Sequence, residues 1–477
     1  MSQFREPGSW LVSALFIPLT LVACAGGSDG DTGVAGAAPV GAAGGSTTPE
    51  GGAGAGASSG AAGNTNSAGS VSGSGGANGA SAGAGGAGGA AGAGAGSAGA
   101  AGAAGAAGAA GAGSAGAGGA GAGAGGSTAM GTGAPETKPL GYGQETTGGG
   151  SAKVMPVANM AAMQAAVDGY SGSGGLVLQY TGSFDFTSIK DPCVQHTLPA
   201  QTVEIKNKSD ITIQGKDGSS ANFGIHVAGD SHNIIIRNMT IGLNPGGADS
   251  DLLSIEGMSS GFPTKLWIDH NELFTSMAVC AGAGDTAFDG MLDLKKGADL
   301  ITVSYNYMHD HHKVSLNGYT DTDDAERHVT FHHNLFENIG SRVPLQRHGY
   351  SHMLNNYFSK ISASGVNIRM GGYSLVEANY FETVNNPVTS RDSSAIGFWD
   401  LRSNNLASAA DVATGNPFGI TWDAGNAGTV NATAWTTTAA YPVALGYTYK
   451  ADPFQCIHDG LRATVGAGKA LATLKCK

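Results

Sequence analysis

Two pairs of aspartates are followed along the chain by separated basic side chains. The acids are Asp249, Asp251, Asp289 and Asp293, and the bases are Lys313, Arg342 and Arg347. Members of each acid pair are two or four residues apart, so on an extended chain they face the same side. Oxygen-only ligands suit a hard cation such as calcium, and clustered basic residues suit a polyanion. The pattern predicts a site that joins a metal to an acidic sugar polymer.

Two alternatives use the same residue types. The aspartates could form a solvated face that is paired with Lys295 and Lys296. Five histidines resemble a metal cluster: His309, His311, His312, His332 and His333. Because they lie in β-rich runs next to turn signals, we expect them to stack or to form hydrogen bonds rather than to bind zinc.

Short β-rich runs make up most of the chain after Gly175. Six of them lead into an asparagine that is soon followed by apolar side chains: Asn238, Asn271, Asn306, Asn334, Asn356 and Asn379. The intervals between these asparagines are 33, 35, 28, 22 and 23 residues. A sandwich would give turn signals about every 8–12 residues. The longer, uneven period predicts an all-β, single-stranded parallel β-helix in which insertions lengthen some coils.

The recurrent asparagines need their own explanation. We expect each asparagine to take the left-handed backbone conformation at a sharp corner. Its side-chain amide would then bond to the neighbouring coil. In such a stack, residues far apart in sequence lie above one another, so the acids and the bases would form adjacent rows.

The chain divides by composition into a low-complexity segment and a folded segment. Residues 24–136 are mostly Gly, Ala, Ser and Thr, without the large apolar side chains that would offset the entropy of ordering, so they predict a disordered tether. A silk-like β-stack is disfavoured by the irregular repeat. Residues 137–477 predict one folded domain with one short N-terminal helix at Asn159–Asp168, opened by Asn159 as the N-cap.

Residues 1–23 have the pattern of an export signal. Arg5 precedes an apolar run that is too short to span a bilayer, and the run ends in Leu-Val-Ala before Cys24. This tetrapeptide resembles a lipobox, so we predict lipidation of Cys24 and anchoring to the outer membrane. Secretion with cleavage near Ala25 is the alternative. The formal charge of −12 argues against a nucleic-acid partner.

Four cysteines remain after Cys24, namely Cys193, Cys280, Cys456 and Cys476. An even number in an exported chain predicts two disulfide bonds, for which three pairings exist. Cys456 with Cys476 is the local choice, and it would leave Cys193 with Cys280.

Several blocks of the chain occur in the order expected for one enzyme family. The blocks are GGADSDLL, WIDHNEL, DGMLDLKKGADLITVSYNYMHDHHKVSLNG, RHVTFHHNLFENIGSRVPLQRHGYSHMLNNYF, GVNIRMGG and NNPVTSRDSS. They resemble the extracellular pectate lyases of polysaccharide lyase family one over nearly all of residues 138–477. The resemblance implies a right-handed parallel β-helix and the disulfide bonds Cys193–Cys280 and Cys456–Cys476.

Residue roles follow from the resemblance by position. Asp249, Asp251, Asp289 and Asp293 match the calcium-binding carboxylates, Arg342 matches the base, Lys313 and Arg347 match the groups that hold substrate carboxylates, and Arg369 matches a further substrate-facing arginine. The WIDHN block from Trp267 to Asn271 matches a signature with a structural role.

The activity implied by the resemblance is calcium-dependent cleavage of α-1,4-polygalacturonate by β-elimination, which leaves 4,5-unsaturated oligogalacturonides. We expect the protein to be a monomer. We also expect its activity to be highest at alkaline pH, because an arginine base is protonated at neutral pH. A pectin lyase would act on methylated polymer without calcium, and the four aspartates argue against it. A glycoside hydrolase needs two carboxylates across the bond. A non-catalytic surface lipoprotein that binds acidic polysaccharide would not need Arg342 or Lys313.

Overall fold

A computed structural model of the chain describes residues 131–406, 416–422, 430–432 and 435–477. The predicted export signal, Cys24 and most of the predicted tether lie outside the described residues. The side chains of Asp249 and of residues 430–432 also lie outside them. No helix among the described residues has the length and apolarity needed to cross a membrane.

Three sheets of parallel strands account for most of the described residues. Sheet 1 contains Val154–Val157, Leu176–Tyr180, Ser209–Gly215, His232–Arg237, Thr264–Asp269, Asp299–Ser304, His328–His332, Tyr350–Leu354, Tyr373–Glu377 and Phe398–Arg402. Sheet 2 contains Thr202–Lys206, Gly224–Ala228, Leu253–Glu256, Leu292–Lys295, Leu316–Asn317, Leu345–Arg347, Val366–Arg369 and Val388–Ser393, with Val430–Ala432 added antiparallel. Sheet 3 contains Ser220–Ala221, Thr240–Gly242, Glu272–Phe274, Tyr307–Lys313, Leu335–Ser341, Tyr357–Ile361 and Tyr380–Val384.

Each coil of the chain passes through sheet 1, then sheet 3, then sheet 2, and the next coil pairs with it in register. Ile211, Ile234, Leu266 and Ile301 are partners in four successive strands of sheet 1, and all four side chains are fully buried. Alternate residues of a strand point to opposite faces, so one face of every strand fills the interior. The chain is a parallel β-helix, which confirms the predicted fold class.

Helices are few among the described residues. The predicted N-terminal helix is present at Met160–Gly169, where the Asn159 side chain accepts a hydrogen bond from the Ala162 N–H at 2.9 Å. A second helix, Phe454–Gly460, lies near the C-terminus. Short 3-10 segments occupy Phe186–Ser188, Pro192–Thr197, Gly247–Asp249 and Leu461–Ala463.

The corner between sheet 1 and sheet 3 carries a ladder of buried asparagines. The Oδ1 of Asn306 accepts from the backbone N–H of Asn271 at 2.9 Å, and Asn334, Asn356, Asn379 and Asn404 repeat the contact coil by coil. The predicted amide bonds between coils are therefore present from Asn271 onward.

The left-handed backbone conformation predicted for the asparagines is present at Asn238. For the other five, the prediction was wrong, and the preceding residue has that conformation. The left-handed residue is the one before each ladder asparagine: His270, Tyr305, His333, Asn355 and Ala378 have φ between 51° and 54°. Asn238 is itself left-handed, with φ of 54°, and it precedes the ladder position, which Met239 occupies. The amide must point along the stack to reach the next coil, so the sharp bend falls on its neighbour.

Two disulfide bonds join segments that lie outside the three sheets. Cys193–Cys280 and Cys456–Cys476 are both present, with Cα atoms 5.4 and 6.0 Å apart. The strand Gly131–Gly133 pairs antiparallel with Thr473–Lys475, next to Cys476. The predicted domain boundary at residue 137 stays a prediction, and strand pairing in the structure begins at Gly131.

Candidate active site

Most of the predicted site residues lie where the chain passes from sheet 3 to sheet 2, and Asp293, Arg347 and Arg369 lie in the sheet 2 strands that follow. Asp251 precedes the strand Leu253–Glu256, and Asp289 precedes Leu292–Lys295 in the next coil. Lys313 ends a strand of sheet 3, and its ladder partner, Ser341, immediately precedes Arg342. The N–H of Met291 bonds to the Val314 carbonyl at 2.9 Å, which joins the acid-bearing coil to the Lys313 coil. Stacking therefore brings acids and bases of four successive coils together.

Asp251 and Asp293 are buried carboxylates that share one cation. Lys295 Nζ lies 2.7 Å from Asp251 Oδ2 and 3.9 Å from Asp293 Oδ2. Backbone N–H groups bind the other oxygens: Gly290 donates to Asp251 Oδ1 and Leu316 donates to Asp293 Oδ1, each at 2.9 Å. The two carboxylates are therefore held in fixed positions, facing the same ammonium group.

The acids repel one another, and this changes how readily they ionise. Burial raises the pKa of Asp289 to about 6, the charge of Asp251 adds to the rise, and nearby cations, including Lys313, oppose it. Burial and the charge of Asp251 likewise hold the pKa of Asp293 well above its usual value. Burial alone would lower the pKa of Lys295, but Asp251 and Asp293 raise it overall.

This donor set fits a hard divalent cation by its chemistry. The available groups are carboxylates, their crowding costs free energy that a cation would recover, and no His or Cys competes at these positions. Within the described side chains, no three His, Cys, Asp or Glu residues already converge as a metal cage. Asp249, the predicted fourth ligand, ends the segment Gly247–Asp249, and its side chain is outside the described part.

Lys313 and Arg342 are neighbours on adjacent coils. Burial lowers the pKa of Lys313, the charge of Arg342 lowers it further, and Asp289 opposes both effects. Arg342 has a φ of 61°, a left-handed conformation that is unusual for a side chain of this size. Its carbonyl accepts from the Ser315 N–H at 2.9 Å, which ties the turn to the preceding coil. Two half-buried cations therefore lie beside the acids.

Arg347 and Arg369 form a second basic pair on sheet 2, where they are direct ladder partners. Arg347 Nε donates to Asp321 Oδ1 at 2.9 Å, and its Nη1 donates to the carbonyls of Gly318 and Tyr319 at 3.1 and 3.3 Å. Arg369 is buried, with its Nη2 3.7 Å from a carboxylate oxygen of Asp392. Arg347 follows Arg342 in the same coil, at the end of the strand Leu345–Arg347, and Arg369 lies one coil further on.

Sequence reasoning missed two of the groups at the site. Lys295 was considered only as a partner in a solvated acidic face, and the structure does pair it with Asp251, in a buried position. Lys296 instead bonds to Glu256 and lies over the ring of Tyr319, with Nζ 4.9 Å from its centroid. Asp321 was not singled out, although the run Asp-Thr-Asp-Asp at residues 321–324 was visible beside an otherwise basic region.

Four of the five histidines stack or form hydrogen bonds, as expected; among the described residues, His312 shows neither a ring contact nor a side-chain hydrogen bond. His309 stacks on Tyr307 at 4.1 Å between ring centroids, and His333 stacks on Tyr305 at 4.9 Å. Nδ1 of the buried His311 lies within hydrogen-bond distance of Thr275 Oγ1, at 2.5 Å. Burial lowers the pKa of His311 to about 3.

Comparisons with known proteins agree with this geometry. A family model described as pectate lyase matches residues 93–470. Pectate lyase B of Dickeya chrysanthemi is 43% identical over 311 residues, which cover 64% of this chain and 80% of that protein. The structure of pectate lyase II from Xanthomonas campestris is 54% identical, has a TM-score of 0.66, and is covered over 100% of its length by 70% of this chain.

Two further structures of relatives are described together with a ligand. Pectate lyase C from Erwinia chrysanthemi, described with Ca²⁺, is 37% identical with a TM-score of 0.66, and the match covers 71% of this chain and 99% of that one. A variant of pectate lyase C in complex with pentagalacturonic acid is also 37% identical, with a TM-score of 0.65 and coverage of 72% and 99%. From its β-helix, the order of its site residues and these matches, the chain belongs to the pectate lyase family and is a polysaccharide lyase.

Proposed function

We propose that this pectate lyase is calcium-dependent and cleaves α-1,4-polygalacturonate by β-elimination, releasing 4,5-unsaturated oligogalacturonides. The observation that carries the proposal is the position of Lys313 and Arg342 on adjacent coils beside the carboxylates of Asp251, Asp289 and Asp293. A hydrolase would need an acid and a base across the bond and would leave these cations without a task.

Calcium would be held by Asp249, Asp251, Asp289 and Asp293. The repulsion among the three described acids supports this assignment, as does the relative described with Ca²⁺. When bound, the ion supplies Lewis-acid stabilisation for charge that develops on a substrate carboxylate. Lys295 would then keep its bond to Asp251 and so help to hold the acid cluster in place.

The basic row would bind the polymer. Lys313 and Arg347 are assigned to substrate carboxylates, and Arg369 to a further position along the chain of sugars. Neighbouring coils lie about 4.7–4.9 Å apart, so basic side chains from successive coils can contact carboxylates at successive positions along an extended polymer. The relative in complex with pentagalacturonic acid supports a polygalacturonate substrate.

Arg342 would act as the base. In its neutral form, the guanidine takes the proton from C5 of the uronate, and the C5–H electron pair forms the C4=C5 double bond. The bond from C4 to the glycosidic oxygen breaks, and its electron pair leaves on that oxygen, which takes a proton from water. Lys313 stabilises the negative charge that builds on the adjacent carboxylate. Two half-buried cations side by side favour the loss of a proton from one of them. This supports an alkaline optimum.

Location and assembly are also proposals. Residues 1–23 would direct export, Cys24 would carry the lipid anchor, and residues 24–136 would tether a monomeric domain to the outer membrane. The bonds Cys193–Cys280 and Cys456–Cys476 support an oxidising compartment. Mass spectrometry that finds an unmodified mature N-terminus downstream of Cys24 would refute the anchor.

The deciding experiment follows the ultraviolet absorbance of the unsaturated product. Polygalacturonate and highly methylated pectin are each incubated with the full chain, first with calcium and then with a chelator. We expect absorbance to rise with polygalacturonate and calcium, and the chelator to abolish it. Faster cleavage of methylated pectin, with the chelator having no effect, would instead identify a pectin lyase.

A further inference from the structure

The loop of residues 318–327 carries four acids close to a basic row that would bind a polyanion. Negative charges beside such a row would weaken the binding of a polyanion, so we expect these acids to have another role. Asp321 is the acid of this loop that contacts the row directly. Both of its carboxylate oxygens are engaged: Oδ1 accepts from Arg347 Nε at 2.9 Å and Oδ2 accepts from Ser394 Oγ at 3.0 Å.

Several hydrogen bonds hold the loop in place, so Asp321 has a defined position. Arg327, which is buried, pairs with Asp323 at 3.1 Å and donates to the backbone carbonyls of Asp323 and Arg347. The second oxygen of Asp323 accepts from the N–H groups of Lys296 and Tyr319 at 2.8 and 2.7 Å. His348 Nε2 lies 2.9 Å from the carbonyl oxygen of Asp321. Asp323 therefore supports the loop, while Asp321 reaches outward to the arginine.

The contacts to Arg347 fix its orientation. Asp321 accepts a hydrogen bond from Nε, and two backbone carbonyl groups of the same loop accept hydrogen bonds from Nη1. Among the described residues, Nη2 of Arg347 has no hydrogen-bond partner. The guanidinium is planar and rigid, so holding two of its nitrogens sets the direction of the third. The edge that carries Nη2 is thus presented for a ligand.

Asp321 also offsets repulsion inside the basic row. Arg347 and Arg369 are ladder partners, which places two like charges directly opposite each other on the sheet. Burial alone would raise the pKa of Asp321, but the bonds from Arg347 and Ser394 and the charges of Arg347 and Arg369 lower it overall. The carboxylate therefore stays ionised beside the two arginines, where it adds to the counter-charge that Asp392 provides for Arg369.

We propose that Asp321 is a positioning residue that aims the guanidinium of Arg347 at a uronate carboxylate of the substrate and, with Ser394, keeps the Arg347–Arg369 pair together. The inference rests on the proposed role of Arg347 and deepens it, because it makes recognition of the unesterified uronate depend on a residue from a different coil. A competing interpretation is that Asp321 occupies Arg347 and excludes substrate, and it predicts the opposite sign.

The test compares Asp321→Asn, Asp321→Glu and Ser394→Ala in the full chain, with Asp324→Asn as the control. Asp324 is an exposed acid of the same loop, so its change removes the same charge without touching Arg347. We expect Asp321→Asn to raise the KM for polygalacturonate by about tenfold with little change in kcat, because the bond that orients Arg347 loses its charge assistance. Asp321→Glu should restore most of the loss, Ser394→Ala should raise KM less, and the control should leave KM unchanged.

Methylated substrate separates positioning from a general structural defect. A methyl ester carries no charge, so the rise in KM caused by Asp321→Asn should shrink as the degree of methylation increases. An equal rise on both substrates, an unchanged KM, or a lower KM would each overturn the proposal. If the unaltered chain does not cleave polygalacturonate, the proposed function fails separately. Calorimetric binding of trigalacturonate then decides, and equal affinities of the unaltered chain and Asp321→Asn would refute the positioning role.

Discussion

Arg342 combines an unusual backbone conformation with an unusual electrostatic position. Its φ of 61° is held by a backbone hydrogen bond to Ser315, and its charge lies next to Lys313. Left-handed non-glycine residues cost about 1–3 kcal/mol and persist where the surrounding structure fixes them. The surrounding coils therefore fix the backbone from which the Arg342 side chain extends.

Replacement of Arg342 tests its proposed role as the base. Arg342→Lys keeps the charge but shortens the side chain and changes its geometry, so we expect kcat to fall by about 10²–10⁴-fold with a much smaller change in KM. Steady-state kinetics on polygalacturonate measure both values. Arg462→Lys, at an exposed arginine paired with Glu337, is the matched control and should leave kcat unchanged. A kcat within threefold of the unaltered enzyme would exclude Arg342 as the base.

The pH profile provides a second test of the same group. We expect kcat/KM to rise with pH into the alkaline range, because the base must lose its proton before it can act. Burial and Arg342 lower the pKa of Lys313, so the loss of the lysine charge would produce the falling limb at higher pH. A maximum below about pH 6 would contradict an arginine base.

Removing one acid tests the metal site through stability. Without calcium, Asp293→Asn should raise the thermal midpoint, because it removes one of three mutually repelling charges while the Asn oxygen can still accept from the Leu316 N–H. With saturating calcium the order should reverse, since the variant binds the ion more weakly. Differential scanning calorimetry with calcium and with a chelator measures both effects. The same order under both conditions would refute a metal ligand at Asp293.

Residue-level prediction was limited by side-chain direction. The aspartates and the basic residues could be placed in rows because a coil repeats, but the sequence did not reveal which acid would hold which base. Asp321 and Arg347 are 26 residues apart, and their contact depends on the path of the loop of residues 318–327. Lys295 was visible next to Asp293, yet its bond to Asp251 crosses 44 residues and required the register between coils.

The coil is the element that the sequence predicts well, because the same sharp bend between sheet 1 and sheet 3 recurs in successive coils. The asparagine period identified the stack, and the uneven intervals correctly indicated insertions. The extra residues lie in 243–252, 275–291 and 318–327, and all three segments border the candidate active site. The misplaced left-handed residue shows the limit of the pattern. Asn is suited both to a ladder of side-chain amides and to a left-handed bend, so the sequence does not show which of two neighbouring positions has which role.

The ladder itself can be tested at Asn334. Its amide accepts from the Asn306 N–H and donates to the Val303 carbonyl and to Asn356, all within the interior. We expect Asn334→Ala to lower the free energy of unfolding by about 2–4 kcal/mol, because several buried groups lose their partners at once. Urea unfolding measures the change. Gln455→Ala, at an exposed position of the helix Phe454–Gly460, should change it by less than about 0.5 kcal/mol, and an equal effect of both changes would refute the ladder as a source of stability.

At the scale of the whole molecule, Glu136, near the start of the described chain, lies close enough to Asp269 of sheet 1 for the two charges to repel each other. Burial raises its pKa to about 8, and the charge of Asp269 adds to the rise. Asp269 accepts from Ser304 Oγ at 2.7 Å and lies 2.8 Å from His270 Nδ1. Folding therefore holds a proton on Glu136 that the unfolded chain releases near its usual pKa of 4.5.

The sign of the resulting pH dependence follows from that difference. The contribution of Glu136 to stability is complete below about pH 4.5, falls as pH rises to about 8, and stays constant above it. We expect Glu136→Gln to remove this decline and to be more stable than the unaltered chain at pH 9, by about 1–2 kcal/mol after allowance for partial exposure. Thermal unfolding between pH 5 and pH 9 on both proteins tests it, and parallel curves would contradict it.

The pairing of Gly131–Gly133 with Thr473–Lys475 places both ends of the described domain at one spot, on the corner opposite sheet 2. If residues 24–136 tether the domain as proposed, a pull on the tether would act first on this strand pair and on the adjoining loop closed by Cys456–Cys476. The pair is a separate two-stranded sheet, so such a force would not act directly on the coils that carry Lys313, Arg342 and Arg347.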